Sequence, residues 1–162
     1  MAQNVISTAI IIIAAVIAVV ALINGVFPTI YQMSGSMTSV SDASNDRMKT
    51  EIKIICESAN QTGYSLNVYV KNTGDRKITG AYVGKTDVYF GTGASMSRCN
   101  HIGGGNPTWQ YSVMDGNGDE SWDPGETLNI WVLTADHDFN VPGQRVKIVL
   151  YNGVSAEDTF TL

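Results

Sequence analysis

The sequence predicts an α+β chain, a long N-terminal hydrophobic α-helix followed by an antiparallel β-sandwich head. Three observations carry that expectation. From Val5 to Ile23 the chain reads VISTAIIIIAAVIAVVALI, with Ser7 and Thr8 the only polar residues. From Glu51 onward apolar residues recur at every second position, the period of a strand. Turn residues then punctuate the chain at near-regular spacing.

The first element is decided by polarity. Nineteen residues, Val5–Ile23, reach roughly 29 Å as a helix, about one hydrocarbon core. No ionised side chain precedes Asp42. A helix apolar all round offers no face to water, so lipid or a helical bundle must cover it. Ala14, Ala15, Ala18 and Ala21 let neighbouring helices approach closely. That favours bundling with copies of itself; a lone anchor that merely tolerates alanine also fits. The stretch has no basic n-region and outruns an ordinary h-region. An uncleaved anchor or an already processed helix therefore fits better than a cleaved signal. No Lys or Arg flanks the N-terminal end, so the bulky polar head decides the orientation and is placed outside.

Asn24-Gly25 and Pro28 predict a kink or a fresh start. Thr29 to Lys49 then reads as an amphipathic helix. Ile30, Met33, Met37 and Val40, with Ser44 and Met48, fall at three- and four-residue spacing. This stripe requires a partner, the head or another subunit. Asp42, Asp46, Arg47 and Lys49 mark the entry to water. Two domains follow, the helical segment 1–48 and the head 49–162, which is long enough for one core.

In the head, strands are expected at Glu51–Glu57, Ser65–Lys71, Ala81–Val83, Thr86–Gly91, Thr108–Val113, Thr127–Leu133, Arg145–Tyr151 and Ala156–Thr161. Leu66, Val68 and Val70 share one face, opposite Asn67, Tyr69 and Lys71. Turns are expected at Asn72–Asp75, Asn100–Pro107 and Asn152-Gly153, the last being the strongest hairpin signal. Short strands so spaced read as an Ig-like sandwich.

Charge narrows the function. The net charge is −5 with no Lys/Arg cluster, which argues against nucleic acid as a partner. Cys56 and Cys99 are separated by 42 residues. Outside the cell a disulfide would suit them; two small apolar core residues fit equally. Asn60-Gln61-Thr62 is an N-glycosylation acceptor, with Asn60 the attachment point.

The sharpest local signal is DGNGDESWDPGE, Asp115 to Glu126. Counted as a twelve-residue calcium loop, it places Asp115, Asn117, Asp119, Ser121, Asp123 and Glu126 at the oxygen-ligand positions. Ca²⁺ needs six to eight oxygens from a chain that folds back on itself, and alternate residues can supply them. Two features depart from that pattern: Glu120 stands at the sixth position in place of glycine, and no helix flanks the loop. An acidic hairpin loop that binds nothing is the competing reading. Mg²⁺ fits less well because it demands near-octahedral geometry.

Chemistry for an enzyme is poor. His101 sits in a glycine-rich loop and His137 within Asp136-His137-Asp138, which reads as a solvated turn before Pro142. No serine or cysteine stands in a nucleophile motif. Trp109, Trp122 and Trp131 read as core, with a binding patch as the alternative.

Several stretches together resemble the archaeal flagellin superfamily. They are ISTAIIIIAAVIAVVALINGVFP, SDASNDRMKTEIKII, VYVKNTGDRKI, KTDVYFG and YNGVSAEDTFTL. The superfamily comprises archaellins and accessory FlaF- and FlaG-type proteins, all relatives of type IV pilins, and the match is closest to the FlaG type. The resemblance implies a non-enzymatic structural subunit of the archaellum at the archaeal cell surface. Its helix would lie in membrane or filament core, and its head would contact other archaellum subunits, copies of itself or the surface layer. Many members carry a basic leader clipped before the helix, whereas no Lys or Arg precedes Ala2 here; filament subunit and anchored accessory protein both remain open. A membrane-anchored adhesin or ligand-binding module is the alternative from a different class, and it predicts a cleft near the tryptophans.

Overall fold

The computed structural model describes residues 2–114 and 117–161. The chain forms two compact units, Met1–Ser44 and Asn45–Leu162. One helix, α1, runs Ala2–Lys49, so its last turn belongs to the second unit.

The kink or restart expected at Pro28 is absent as an interruption: Pro28 lies inside continuous helix. A proline removes one N–H donor and crowds the carbonyl four residues back, here that of Asn24. The neighbouring turns keep their own bonds, and Thr29 Oγ1 donates to the Gly25 carbonyl at 3.2 Å. From Asn4 to Lys49 every side chain except Asp46 is exposed. Within that stretch Ile30, Met33, Met37 and Val40 are 54–69% exposed.

Among the described residues the second unit is built on eight strands and one helical turn. They are β1 (Ile52–Asn60), β2 (Ser65–Asn72), α2 (Gly80–Val83), β3 (Asp87–Thr92), β4 (Ser95–His101), β5 (Thr108–Met114), β6 (Thr127–Leu133), β7 (Gln144–Val149) and β8 (Ser155–Phe160). The sheet order is β1-β2-β6-β5-β4-β3-β7-β8. Two antiparallel four-stranded halves, β1-β2-β6-β5 and β4-β3-β7-β8, face each other. A parallel contact of only two residue pairs, Asn100–Thr108 and His101–Trp109, joins them on one side. Edge strands β1 and β8 approach on the other, so the sheet is nearly closed.

The alternation read from the sequence is what fills the interior. Leu66, Val68, Val70, Leu128, Ile130, Val132, Val146 and Ile148 are fully buried. Each contributes about 1.5–3 kcal/mol by leaving water. The Asn152-Gly153 turn does link β7 to β8, with Gly153 at φ +82° donating its N–H to the Leu150 carbonyl at 2.9 Å. β1 carries a bulge between Ile54 and Cys56.

Two elements differ from expectation. Ala81–Val83 is not a strand but part of α2, whose Tyr82 and Val83 N–H groups donate to the Thr79 carbonyl. Three residues are too few to show a period of two. Strand β4 escaped the sequence altogether because only Cys99 in it is buried; its place comes from backbone pairing with β3. Gly91 permits that pairing, since a Cβ there would lie 1.9 Å from the Ser95 carbonyl oxygen.

The disulfide is not formed. Cys56 is exposed on edge strand β1, whereas Cys99 is buried on β4 in the other half, and both are free thiols. Burial pushes the Cys99 thiol up to about 12, because a thiolate there would lose its hydration.

Candidate functional site

The acidic segment connects β5 to β6. Asp115 lies outside the described residues. The rest is pinned by Trp122, which is fully buried. Trp122 and Ile78 exchange two backbone hydrogen bonds, at 2.7 and 3.0 Å. The indole Nε1 donates to the Glu126 carbonyl at 3.0 Å, and Asn72 Nδ2 donates to the Trp122 carbonyl at 3.1 Å. An apolar plug thus holds the loop to the core.

Its oxygens are engaged locally. Asn117 Oδ1 accepts from the Asp119 N–H at 3.0 Å, and Asp119 Oδ1 from the Ser121 N–H at 2.9 Å. Glu126 Oε2 accepts from the Asp123 N–H at 2.9 Å. Between the carboxylates sits the Lys77 ammonium, bonded to Asp119 Oδ2 and 3.1 Å from Asp123 Oδ1. Asn117 Nδ2 donates to Asp123 Oδ2 at 3.1 Å. Glu120, at the sixth position, adopts φ +59°, the left-handed bend that glycine makes in calcium loops. Among the described residues, no group of three or more His, Cys, Asp or Glu side chains gathers as a metal cluster. Lys77 lies 42 residues from Asp119 in sequence, with nothing local to announce it.

The pairing shifts both partners. Hydrogen bonds donated to Asp119 and then to Asp123 raise the Lys77 ammonium above its usual range. The Lys77 hydrogen bond, then the Ser121 N–H, hold Asp119 below the carboxylate range. Both groups are solvated, so the pair orders the loop more than it stabilises the fold.

Beside the loop opens a cleft of about 790 Å³, bounded by β5, α2, the end of β4 and Asp119–Ser121. The His101 ring packs 4.3 Å from Trp109 and 5.8 Å from Tyr111. Tyr111 Oη donates to the Gly80 carbonyl at 3.1 Å. His101 Nε2 is sequestered with no hydrogen-bond partner among the described residues, and desolvation lowers the ring's pKa. Asp119 and Glu120 line the cleft, and no Lys or Arg does among the described residues.

The last turn of α1 is fastened to the head. Asp46 pairs with Arg76 Nε at 2.9 Å and accepts from Tyr151 Oη at 2.9 Å and Asn152 Nδ2 at 3.4 Å. Arg47 Nε donates to the Asn152 carbonyl at 2.7 Å. The Lys49 carbonyl, orphaned at the helix end, accepts from Asp75 and Arg76 N–H groups at 2.9 and 3.1 Å. Gly74 makes this approach possible, because a Cβ there would lie 2.4 Å from the Lys49 oxygen.

The remaining candidates scatter. Asn60 is exposed at the end of β1, its Oδ1 accepting from the Gly63 N–H at 3.1 Å. His137 is half-buried rather than solvated, against Phe90 and Phe139, with Nε2 2.8 Å from Gln144 Oε1. Trp109 and Trp122 are core, but Trp131 is 44% exposed, on the face of β6 that aligns it with Asn67 and Gln110.

Comparison with known proteins gives four similarities. The sequence model of archaeal-type flagellin matches residues 2–160. A protein of Archaeoglobus fulgidus, described only as uncharacterized, is 36% identical over 165 residues, covering 99% of each chain. The archaellum periplasmic stator protein FlaG from Sulfolobus acidocaldarius shares the fold at TM-score 0.54 and 23% identity, over 68% of this chain and 99% of that one. The FlaF and FlaG stator complex from the same organism gives 0.53 and 24%, over 68% and 89%.

Proposed function

The chain belongs to the archaeal-type flagellin family, and from that premise we propose that it is a non-enzymatic structural subunit of the archaellum, anchored by α1 with the head outside. One observation carries this reading. Between Val5 and Ile23 the large apolar side chains are 45–69% exposed, while the head closes over a core of its own. Transfer of the twelve Ile, Val and Leu residues of that stretch into hydrocarbon is worth about 4–7 kcal/mol. A soluble enzyme gains nothing from such a surface; an anchored or bundled subunit requires it.

The likeness of the head to a stator protein favours an anchored accessory subunit over a filament subunit, its partner being another archaellum component. Type IV pilin-like bundling with copies of itself is the filament version, and contact with the surface layer is compatible with either. Exposed Asn60 leaves room for a glycan. Calcium at the acidic loop is part of the proposal: the ion would displace Lys77 and draw on Asn117, Asp119, Ser121, Asp123 and Glu126 together with Asp115.

The test is reconstitution. Full-length protein in detergent is diluted into liposomes and imaged. An anchored subunit floats with the vesicles and shows separate heads; regular filaments would favour the archaellin version. Protein that stays monomeric and soluble without detergent or lipid would overturn both.

A further inference from the structure

Strand β5 is left half-paired by the fold. Its partner β6 covers one edge along its whole length, Thr108 to Met114. On the other edge β4 supplies two residue pairs and ends at His101. The Asn100 and Ile102 N–H groups donate to the Pro107 and Trp109 carbonyls at 2.9 and 3.4 Å, so odd-numbered residues of β5 face that edge. By alternation, the N–H and C=O groups of Tyr111 and Val113 face it too. Among the described residues no strand pairs with them there.

The cleft runs along this open edge. Inward-facing Tyr111 and Val113 and outward-facing Gln110 and Ser112 all line it, which requires the space to lie at the strand's side rather than over one face. Its polar lining carries two carboxylates, Asp119 and Glu120, without a basic side chain among the described residues. The sequestered His101 Nε2 waits where β4 stops. Exposed edges are the sites at which another chain adds a strand.

We infer that β5 accepts an extended, basic segment of a partner protein, which continues the line of β4 and pairs with Tyr111 and Val113 in the cleft. The backbone edge supplies the pairing, and Glu120 selects a lysine or arginine side chain, Asp119 being already bonded to Lys77. A second copy of this chain is the wrong occupant, because pairing β5 with β5 would bring two sets of these carboxylates together. The inference does not depend on which assembly the chain joins, since purified protein and a synthetic probe test it.

The probe is the end-blocked peptide Thr-Val-Lys-Val-Thr, fluorescently tagged, titrated into the full chain in detergent micelles. The expected result is saturable binding with slowed hydrogen exchange at the Tyr111 and Val113 amides. Glu120→Lys, on the exposed rim, should weaken it about tenfold, as should the peptide with glutamate in place of lysine. Ala81→Trp, which fills the cleft from an exposed position, and N-methylation of alternate peptide bonds should each abolish it. No saturable binding at millimolar peptide overturns the inference. So does binding that survives Ala81→Trp or N-methylation, or that leaves those two amides unprotected.

Discussion

Glu57 on β1 and Asp158 on β8 meet carboxyl to carboxyl across the seam where the two edge strands approach. Glu57 Oε1 is sequestered with no hydrogen-bond partner among the described residues. Desolvation first, and the Asp158 charge second, raise Glu57 above the usual carboxylate range. A raised carboxyl favours the folded state when protonated. That contribution is complete below the unfolded-state pKa and is lost as pH rises through the folded-state one. Glu57→Gln should therefore stabilise the protein at pH 7 and match the parent in acid, below about pH 4. Chemical denaturation at several pH values checks this; a loss of stability at pH 7 would mean that the carboxylate has a role the seam does not explain.

The two thiols should differ in reactivity. Maleimide is expected to label Cys56 in the native protein and Cys99 only after unfolding, because Cys99 is 1% exposed and its thiol is held protonated. Mass spectrometry of labelled peptides gives the answer. Equal rates, or a bridged pair in protein purified under oxidising conditions, would contradict the placement of β1 and β4.

The acidic loop allows a competition experiment. With Ca²⁺ the wild-type melting temperature should rise, and it should rise further in Lys77→Met, where no ammonium competes for Asp119 and Asp123. Asp119→Ala with Glu126→Ala should remove the response. Absence of any shift at millimolar Ca²⁺ in both wild type and Lys77→Met would leave lysine as the loop's only cation. Without calcium, Asp119 has a lowered folded-state pKa, so its contribution is present above the unfolded-state value and fades as pH falls through the folded one.

The junction of α1 with the head should be sensitive to small changes. Asp46→Ala strips Arg76, Tyr151 and Asn152 of a shared acceptor and should cost about 2 kcal/mol. Gly74→Ala must push a methyl into the Lys49 carbonyl and should destabilise as well. Urea denaturation measures both. A neutral Gly74→Ala would show that the last turn of α1 is not seated there.

Removing residues 1–44 should give a head that is soluble without detergent and melts cooperatively, since its core is contained within 45–162. Light scattering and calorimetry decide it. Aggregation of that fragment would mean that α1 normally covers part of the head.

Much of the design was legible in the sequence, because local rules govern it. An uncharged Val5–Ile23 is helical, the conformation that satisfies its backbone groups within the segment itself. Leu66, Val68 and Val70 alternate because one face of β2 must leave water, and Asn152-Gly153 turns because glycine tolerates φ +82°.

What tertiary structure alone decided are the meetings of distant residues. Lys77 arrives between Asp119 and Asp123, Asp46 reaches Tyr151, and Glu57 faces Asp158. Strand β4 exists through backbone pairing that its polar side chains do not advertise, and the place where it stops leaves the edge of β5 open. Periodicity reports which side of an element is dry. It carries no information about which element comes to lie beside it, because that is set by how the whole set of dry faces packs together at once.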